Sequence, residues 1–236
     1  MSLEKLWNIA NSKRSRLIVA MDPLFKDNVE HRSRVKDLMD ALRKYACGMK
    51  IGIPLLISTG PHFIKELTME YSKEYYFIAD FKLADVPHIN EYVLRRAKEL
   101  GVNGIIVHLF QGGLEDLVKK ARFLDVDVIG VVMMSHKGAL LFEELFDRLL
   151  EYAKALHLDG VVVGATKARY ITKARKVLGS DVAIFSPGVI AQGAKPGEAI
   201  RNGADFEIVG RAIIKAERPA EVAENIVQAE REIIYG

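Results

Sequence analysis

An apolar run passes abruptly into alternating charges in the segment Tyr75-Tyr76-Phe77-Ile78-Ala79-Asp80-Phe81-Lys82-Leu83-Ala84-Asp85. Its first five residues are aromatic, branched or small, which is typical of a strand buried on both faces. Asp80 and Lys82 are two residues apart, so in an extended chain their side chains point to the same side. Buried strands tolerate charges poorly unless the charges are paired. The pair therefore indicates a functional site at a strand tip, and an ordinary structural ion pair is the alternative.

Seven further apolar runs resemble this one, and amphipathic helical patterns separate them. The repeat of about thirty residues is typical of βα units. We therefore predict one (β/α)8 TIM barrel domain over residues 1–236, with an extra helix at 2–10 across its bottom. A doubly wound open sheet is the alternative. The predicted strands are 17–21, 48–51, 76–79, 104–107, 126–133, 160–163, 182–185 and 206–209, and the predicted helices are 30–45, 61–70, 89–100, 114–123, 140–156, 167–178, 197–201 and 219–234.

Composition narrows the classes of function. The chain has 236 residues, half of them hydrophobic, and a formal net charge of +3. That charge is too small to indicate a nucleic-acid partner, and no apolar run has the length of a membrane span or a signal peptide. Cys47 is the only cysteine, which fits a reducing cytoplasm. The six histidines lack the spacing of a zinc site, so we expect no metal.

Polar and glycine residues follow the predicted strands. In a barrel of this kind the carboxyl ends of the strands face the active site, so these residues form the list of candidates. The list, in chain order, is Asp22, Lys50, Asp80, Lys82, Asp85, His108, Ser135, Gly164, Pro187, Gly188, Gly210 and Arg211.

Several candidates also have a plainer interpretation. Asp22 precedes a proline and could simply open a turn. Lys50 could be a charge at a strand end, and Ser135 could be a helix N-cap. We interpret His108 and His136 as polar residues at loop mouths whose hydrogen bonds are satisfied, and leave both out of the catalytic set.

Two features predict a phosphate site after the last two strands. Gly210 lets backbone N–H groups approach an anion, and Arg211 adds a planar guanidinium suited to phosphate. The glycine-rich segment 186–197 is long for a βα loop, and we interpret it as a lid with Gln192 bonding the phosphate. A plain turn and a floppy connection are the alternatives.

Taken together, these residues resemble the orotidine 5′-phosphate decarboxylase family over almost the whole chain. The short loops are similar to its archaeal, microbial branch. The Asp-x-Lys-x-x-Asp element alone also occurs in related phosphosugar enzymes, whereas the Ser135 and Gln192 blocks narrow the match. The matching blocks are 17–22, 49–52, Asp80-x-Lys82-x-x-Asp85, 134–136, 187–193 and 209–211.

The resemblance implies decarboxylation of orotidine 5′-phosphate to uridine 5′-phosphate, without metal or organic cofactor, by a cytoplasmic homodimer. Lys82 would donate the proton to C6 of the pyrimidine, and Asp80 would lie beside the departing carboxylate. Lys50, Asp80, Lys82 and Asp85 would form a charged chain in which Asp85 comes from the partner subunit. The resemblance further places Asp22 and Lys50 at ribose hydroxyls, Ser135 at the pyrimidine, Gln192 and Arg211 at the phosphate, and Pro187 and Gly210 among the substrate-binding residues.

One position departs from the family pattern. Many relatives have a hydroxyl residue four positions after the second aspartate, where this chain has Ile89. We therefore expect weaker substrate binding across the dimer but intact chemistry. Two alternative functions stay open: a metal-dependent decarboxylase or aldolase of sugar phosphates, and a silent nucleotide-binding paralogue.

Overall fold

A closed barrel of eight parallel strands forms the centre of the computed structural model, which describes residues 3–22 and 28–236. Each strand pairs with the next along the chain, and the last pairs with the first, so the (β/α)8 prediction is confirmed and the open sheet is wrong. The strands are β1 Leu17–Ala20, β2 Gly48–Gly52, β3 Tyr76–Leu83, β4 Gly104–His108, β5 Asp127–Met133, β6 Gly160–Val163, β7 Ala183–Pro187 and β8 Phe206–Val209.

Helices connect the strands around the outside. The first helix packs Leu6 and Ala10 against side chains of the barrel interior, so it covers the amino end of the barrel. None of the helices in the described ranges is long and apolar enough to cross a membrane. The helices are α1 Leu3–Lys13, α2 Asn28–Leu42, α3 Ile53–Thr59, α4 Pro61–Glu70, α5 Pro87–Glu99, α6 Glu115–Phe123, α7 Leu140–Ala155, α8 Ala168–Leu178, α9 Glu198–Arg201, α10 Arg211–Ile214 and α11 Pro219–Ile234.

The apolar core has two layers, because successive strand residues point to opposite faces. One set packs between the strands and the outer helices. The other set fills the barrel interior, where Phe185 and Phe206 stack with ring centroids 5.3 Å apart. These two rings and Trp7 of α1, whose centroid lies 4.9 Å from that of Phe206, close the interior towards the amino end. Space for a ligand therefore lies towards the carboxyl ends of the strands.

Strand β3 extends beyond its predicted end at residue 79 and carries Asp80 and Lys82 within it. Its register with β4 shifts between Ala79 and Leu83, and Lys82 has a φ of +45°. A left-handed backbone costs a residue with a Cβ about 1–2 kcal/mol. The two side chains meet across this irregular backbone rather than by the simple alternation that the sequence suggests. Strain of this kind clusters at functional sites.

Candidate active site

Four charged side chains form a continuous array at the carboxyl end of the barrel. Lys50 Nζ lies 3.0 Å from Asp22 Oδ2 and 2.8 Å from Asp80 Oδ2. Asp80 uses its other oxygen, Oδ1, to accept a hydrogen bond of 2.7 Å from Lys82 Nζ. The charges thus alternate from Asp22 through Lys50 and Asp80 to Lys82. Three strand ends deliver them, as the topology of a parallel barrel predicts.

The alternation keeps the buried members charged. Burial by itself would lower the pKa of Lys50, but the carboxylates of Asp80 and Asp22 outweigh it, so its pKa lies above the ordinary value. Burial would likewise raise the pKa of Asp80, yet the ammonium groups of Lys50 and Lys82 hold it below the ordinary value. A buried charge is costly unless it is paired, and each of these two has partners on both sides.

Gly52 fixes the orientation of Asp22. Its backbone N–H donates a hydrogen bond of 2.9 Å to Asp22 Oδ1, while Oδ2 faces Lys50. A Cβ at position 52 would lie only 2.4 Å from Asp22 Oδ1, so a side chain there would displace the carboxylate. Gly52 belongs to the matching block 49–52, but its contact with Asp22 was not predicted, because that contact joins the ends of two different strands.

A cavity of about 230 Å³ lies beside the array. Its walls combine two kinds of side chain, and this combination is typical of small-molecule sites. The polar part brings together Lys50, Asp80, Lys82, Ser135, His136 and Gln192, and the less polar part consists of Ile106, Val131, Met134, Val162, Pro187 and Ile208.

Most of the apolar wall is not among the residues predicted from the sequence, because the candidates were residues that follow the strands. Ile106, Val131, Val162 and Ile208 all belong to the cluster of side chains that fills the barrel interior. Alternation along the chain could have identified part of this wall. Ile106 and Ile208 each stand two residues before a candidate, His108 or Gly210, so they point to the same side as that candidate. The charged array therefore shares its cavity with an apolar surface.

The loop after β5 sits close against β6. A Cβ on Gly164 would lie 2.5 Å from the Cα of Ser135, so only glycine leaves room for Ser135 at the cavity. Thr166 Oγ1 donates a hydrogen bond of 2.7 Å to the carbonyl oxygen of Ser135. Ser135 is thus held through its backbone, and no helix begins directly after it, because α7 starts only at Leu140. The N-cap interpretation of Ser135 is wrong.

Asp85 lies outside the array. It is exposed, and its Oδ1 accepts a hydrogen bond of 2.7 Å from the N–H of Val86. Asn90 stabilises the same turn, because its side-chain amide donates a hydrogen bond of 2.6 Å to the carbonyl oxygen of Asp85. Across the described residues no lysine or arginine comes within ion-pair distance of this carboxylate. The single chain therefore does not join Asp85 to Lys82.

Gly210 and Arg211 also stand apart from the cavity lining. Gly210 ends β8 against β1, where its added Cβ would lie 3.2 Å from that of Ala20. Arg211 is exposed and begins the short helix α10. Both residues lie at the same end of the barrel as the array. Gln192, by contrast, reaches the cavity, and an added Cβ on Gly188 would lie 3.3 Å from its Oε1.

His108 and His136 occupy different places. His136 lines the cavity, whereas His108 lies among Phe110 and Phe142, with ring centroids 4.8 and 5.7 Å away. Burial, reinforced by the charge of Lys82, lowers the pKa of His108. Nδ1 of His108 is buried without a hydrogen-bond partner among the described residues, so the expectation that this side chain is satisfied is wrong.

The residues present favour acid and electrostatic chemistry. Within residues 3–22 and 28–236, no three His, Cys, Asp or Glu side chains are grouped so that they could hold a metal ion. Fixed ammonium groups beside an apolar wall stabilise negative charge that develops on a bound ligand. The fold and the array thus define a barrel enzyme that acts on an anionic small molecule.

Comparison with known proteins agrees with this class. Residues 15–226 match the model of the family described as orotidine 5′-phosphate decarboxylase / HUMPS family. The chain is 35% identical to the orotidine 5′-phosphate decarboxylase of Pyrococcus furiosus, over 92% of this chain and 98% of that protein. It is 36% identical to that of Methanococcoides burtonii, over 91% and 96%.

Solved structures give the same result. A Methanocaldococcus jannaschii orotidine 5′-monophosphate decarboxylase, complexed with the inhibitor BMP, superposes with a TM-score of 0.80 at 33% identity, covering 91% of this chain and 98% of that one. The Sulfolobus solfataricus enzyme has a TM-score of 0.81 at 29% identity, covering 93% and 99%. The chain belongs to the orotidine 5′-phosphate decarboxylase / HUMPS family, so the resemblance inferred from the sequence is confirmed.

Proposed function

We propose that this protein converts orotidine 5′-phosphate to uridine 5′-phosphate and carbon dioxide, without a metal or an organic cofactor, in uridine nucleotide synthesis. The observation that carries the proposal is the array Asp22–Lys50–Asp80–Lys82 beside an apolar cavity wall. Relatives of that name, at 35 and 36% identity over nearly their whole length, support it. We also propose a cytoplasmic location, since the one cysteine, Cys47, is a buried free thiol.

Lys82 has the central role in this mechanism. When the bond between C6 and the carboxylate carbon breaks, its electron pair stays on C6, a ring carbon that resonance stabilises poorly. An ammonium held beside C6 stabilises that charge more than it stabilises the starting carboxylate, which lies further away. Lys82 then transfers a proton from Nζ to C6.

Asp80 and the apolar wall act on the departing group. Asp80 holds the ammonium group of Lys82 in place, because its Oδ1 accepts the hydrogen bond from Lys82 Nζ. The same carboxylate repels a substrate carboxylate placed next to it. Carbon dioxide is uncharged, so a wall containing Ile106 and Val162 accommodates the product better than the starting anion.

The other candidates bind substrate in this proposal. Asp22 and Lys50 hold the ribose hydroxyls, and Ser135 contacts the pyrimidine. The phosphate lies towards the last two strands, where a dianion gains from a permanent guanidinium charge. The residues assigned to that end are Pro187, Gln192, Gly210 and Arg211.

We further propose a homodimer in which Asp85 completes the partner subunit's array. Among the described residues, no cationic side chain pairs with Asp85. Lys82 pairs with the single carboxylate of Asp80, and its side chain is 39% exposed. The surface around Asp85 is apolar and exposed at Val86, Ile89 and Tyr92, as in subunit interfaces. Sedimentation of the purified protein tests the assembly, and a monomer at assay concentration would contradict it.

The activity itself is tested by mixing purified protein with orotidine 5′-phosphate in excess EDTA and following the pyrimidine absorbance. We expect rapid conversion to uridine 5′-phosphate. Activity on a sugar phosphate that requires added magnesium would favour the metal-dependent alternative instead. Tight binding of uridine 5′-phosphate with no turnover would favour the silent paralogue.

A further inference from the structure

A carboxylate that the mechanism does not use is buried outside the barrel wall. Glu207 lies on β8 between Phe206 and Ile208, which point into the barrel, so its own side chain points outward. It is fully buried. The N–H of Gly197 donates a hydrogen bond of 2.9 Å to its Oε2, and the N–H of Ala199 donates one of 3.1 Å to its Oε1. Both oxygens are therefore committed to backbone donors.

The first donor, Gly197, is at the far end of the loop that carries Gln192, and the second, Ala199, is in the helix α9 that follows. The loop runs from β7 to α9 and ends at Gly197, which has a φ of +78°. The N-cap of α9 has no side-chain hydrogen bond of its own. A Cβ on Gly197 would lie 2.3 Å from Ile233 Cδ1, so α11 confines the same point from the other side. Glu207 and α11 together fix where the loop ends.

The loop has a second anchor, so only a short tip is exposed. Val189 and Ala194 are buried and form an isolated β-bridge. The N–H of Ile190 donates a hydrogen bond of 2.7 Å to the carbonyl oxygen of Ala194. Residues 190–193, with Gln192 among them, form an exposed tip. The end of β7, just before the loop, also lies next to Glu207, because Ser186 pairs with it in register. The Glu207 side chain thus holds the α9 end of the loop that carries Gln192.

We propose that Glu207 is a positioning residue for phosphate binding: it anchors the end of the β7–α9 loop so that Gln192 is already placed for the substrate phosphate. The assignment of phosphate to this loop rests on the proposed function. Preorganisation of a binding loop improves affinity because less ordering is needed when the ligand arrives. Glu207 touches no substrate in this proposal, so its effect passes through the loop.

The test compares two ligands that differ only in the phosphate. Dissociation constants for uridine 5′-phosphate and uridine are measured by titration in phosphate-free buffer, for wild type, Glu207→Ala and the isosteric Glu207→Gln. We expect Glu207→Ala to raise the dissociation constant of uridine 5′-phosphate about tenfold and that of uridine less than about twofold. An equal rise in both dissociation constants, or no change in either constant, would overturn the proposal. Glu207→Gln retains one acceptor and the side-chain shape, so it carries the test if the alanine variant does not fold.

Glu230→Gln is the matched control. Glu230 is also a fully buried carboxylate, but its Oε2 accepts its hydrogen bond from the N–H of Arg16 at 2.8 Å rather than from the loop. We expect it to leave both dissociation constants unchanged, and selective loss of uridine 5′-phosphate binding in it would overturn the proposal. A wild-type protein that decarboxylates but binds both ligands equally would also overturn it. Absence of decarboxylation with a preserved preference for the phosphorylated ligand would count against the proposed reaction alone.

Discussion

Two sets of buried carboxyl groups stand in contrast in this barrel. At the carboxyl end, Asp80 lies between two ammonium groups, and its pKa is held below the ordinary value although burial opposes this. Outside the wall, burial raises the pKa of Glu207 to about 7 and that of Glu230 to about 8. Neither of these two glutamates forms an ion pair within the described part of the chain, and the charge of Glu207 adds to the rise in the pKa of Glu230. Burial is common to both sets, and only the partners differ.

The contrast shows what charge pairing achieves. A carboxyl group that serves the backbone, as Glu207 does for α9, can accept hydrogen bonds without ion pairing. A carboxylate that must remain charged inside a protein needs fixed cations beside it. Such buried charges lower stability unless each has a partner of opposite charge. The array at the barrel mouth has that arrangement, and it ends at Lys82, whose side chain is 39% exposed.

The largest expected effect comes from removing that last charge. We expect Lys82→Ala to lower turnover of orotidine 5′-phosphate by at least about 10⁴-fold, because one residue supplies both electrostatic and acid catalysis. Binding of uridine 5′-phosphate should remain measurable by titration. The exposed Lys137, changed to alanine, serves as control and should keep wild-type turnover. Near-normal turnover in the Lys82 variant would remove Lys82 from its proposed role.

Breaking the array at its buried centre should show in stability. Lys50→Met leaves Asp22 and Asp80 without their shared cation, and we expect a loss of about 3–5 kcal/mol in the free energy of unfolding. Lys36 is the matched control, since it also joins two carboxylates, Glu66 and Glu70, but on the surface. Lys36→Met should cost no more than about 1 kcal/mol in urea denaturation. Equal costs for the two variants would mean that burial of the array has no energetic consequence.

Removing the charge of Glu230, outside the barrel wall, should raise the free energy of unfolding rather than lower it. Because the folded protein raises the pKa of Glu230 from 4.5 to about 8, it binds this proton more tightly than the unfolded chain does. The stabilisation is complete at low pH and is lost as pH rises through about 8. Near pH 9, Glu230→Gln should exceed wild type in stability by on the order of 3 kcal/mol, with little difference near pH 5.

Denaturant titrations across this pH range check that result. Glu232→Gln, an exposed change on the same helix, is the control and should follow the wild-type curve. A Glu230→Gln curve parallel to that of wild type would show that Glu230 ionises in the folded protein as it does in the unfolded chain.

The smallest effect concerns the edge of the site. Ile89 is exposed near Asp85, on the surface that we assign to the dimer interface. Ile89→Thr should tighten binding of uridine 5′-phosphate by about 0.5–1.5 kcal/mol, the value of one neutral hydrogen bond. Ile89→Val, which adds no hydroxyl, is the control. Unchanged affinity in the threonine variant would show that this position does not reach the ribose.

Much of the fold was accessible from the sequence because strands buried on both faces are short branched apolar runs. The eight predicted strands lie close to those observed, and their topology alone brought Lys50 and Asp80 together. The extension of β3 was missed because charged residues argue against a buried strand. The helices α3 and α10 are too short to show a helical period, at 7 and 4 residues.

Other features of the site depend on contacts between distant segments. The close approach of Gly52 to Asp22, and of Gly164 to Ser135, exists only once neighbouring strands are in register. Glu207 follows the alternation of β8 as an outward residue, but the sequence does not tell that backbone donors from α9 will meet it. Part of the apolar wall was predictable from alternation and was overlooked.

The most direct test of the account asks whether the exposed end of the array is completed by a second chain. Asp85→Ala and Lys82→Ala proteins, each inactive alone, are mixed with subunit exchange verified by native mass spectrometry. In a hybrid dimer one site regains both residues and the other loses both. We therefore predict recovery of about a quarter of wild-type turnover at random exchange. No recovery in a mixture with verified hybrids would contradict the shared array.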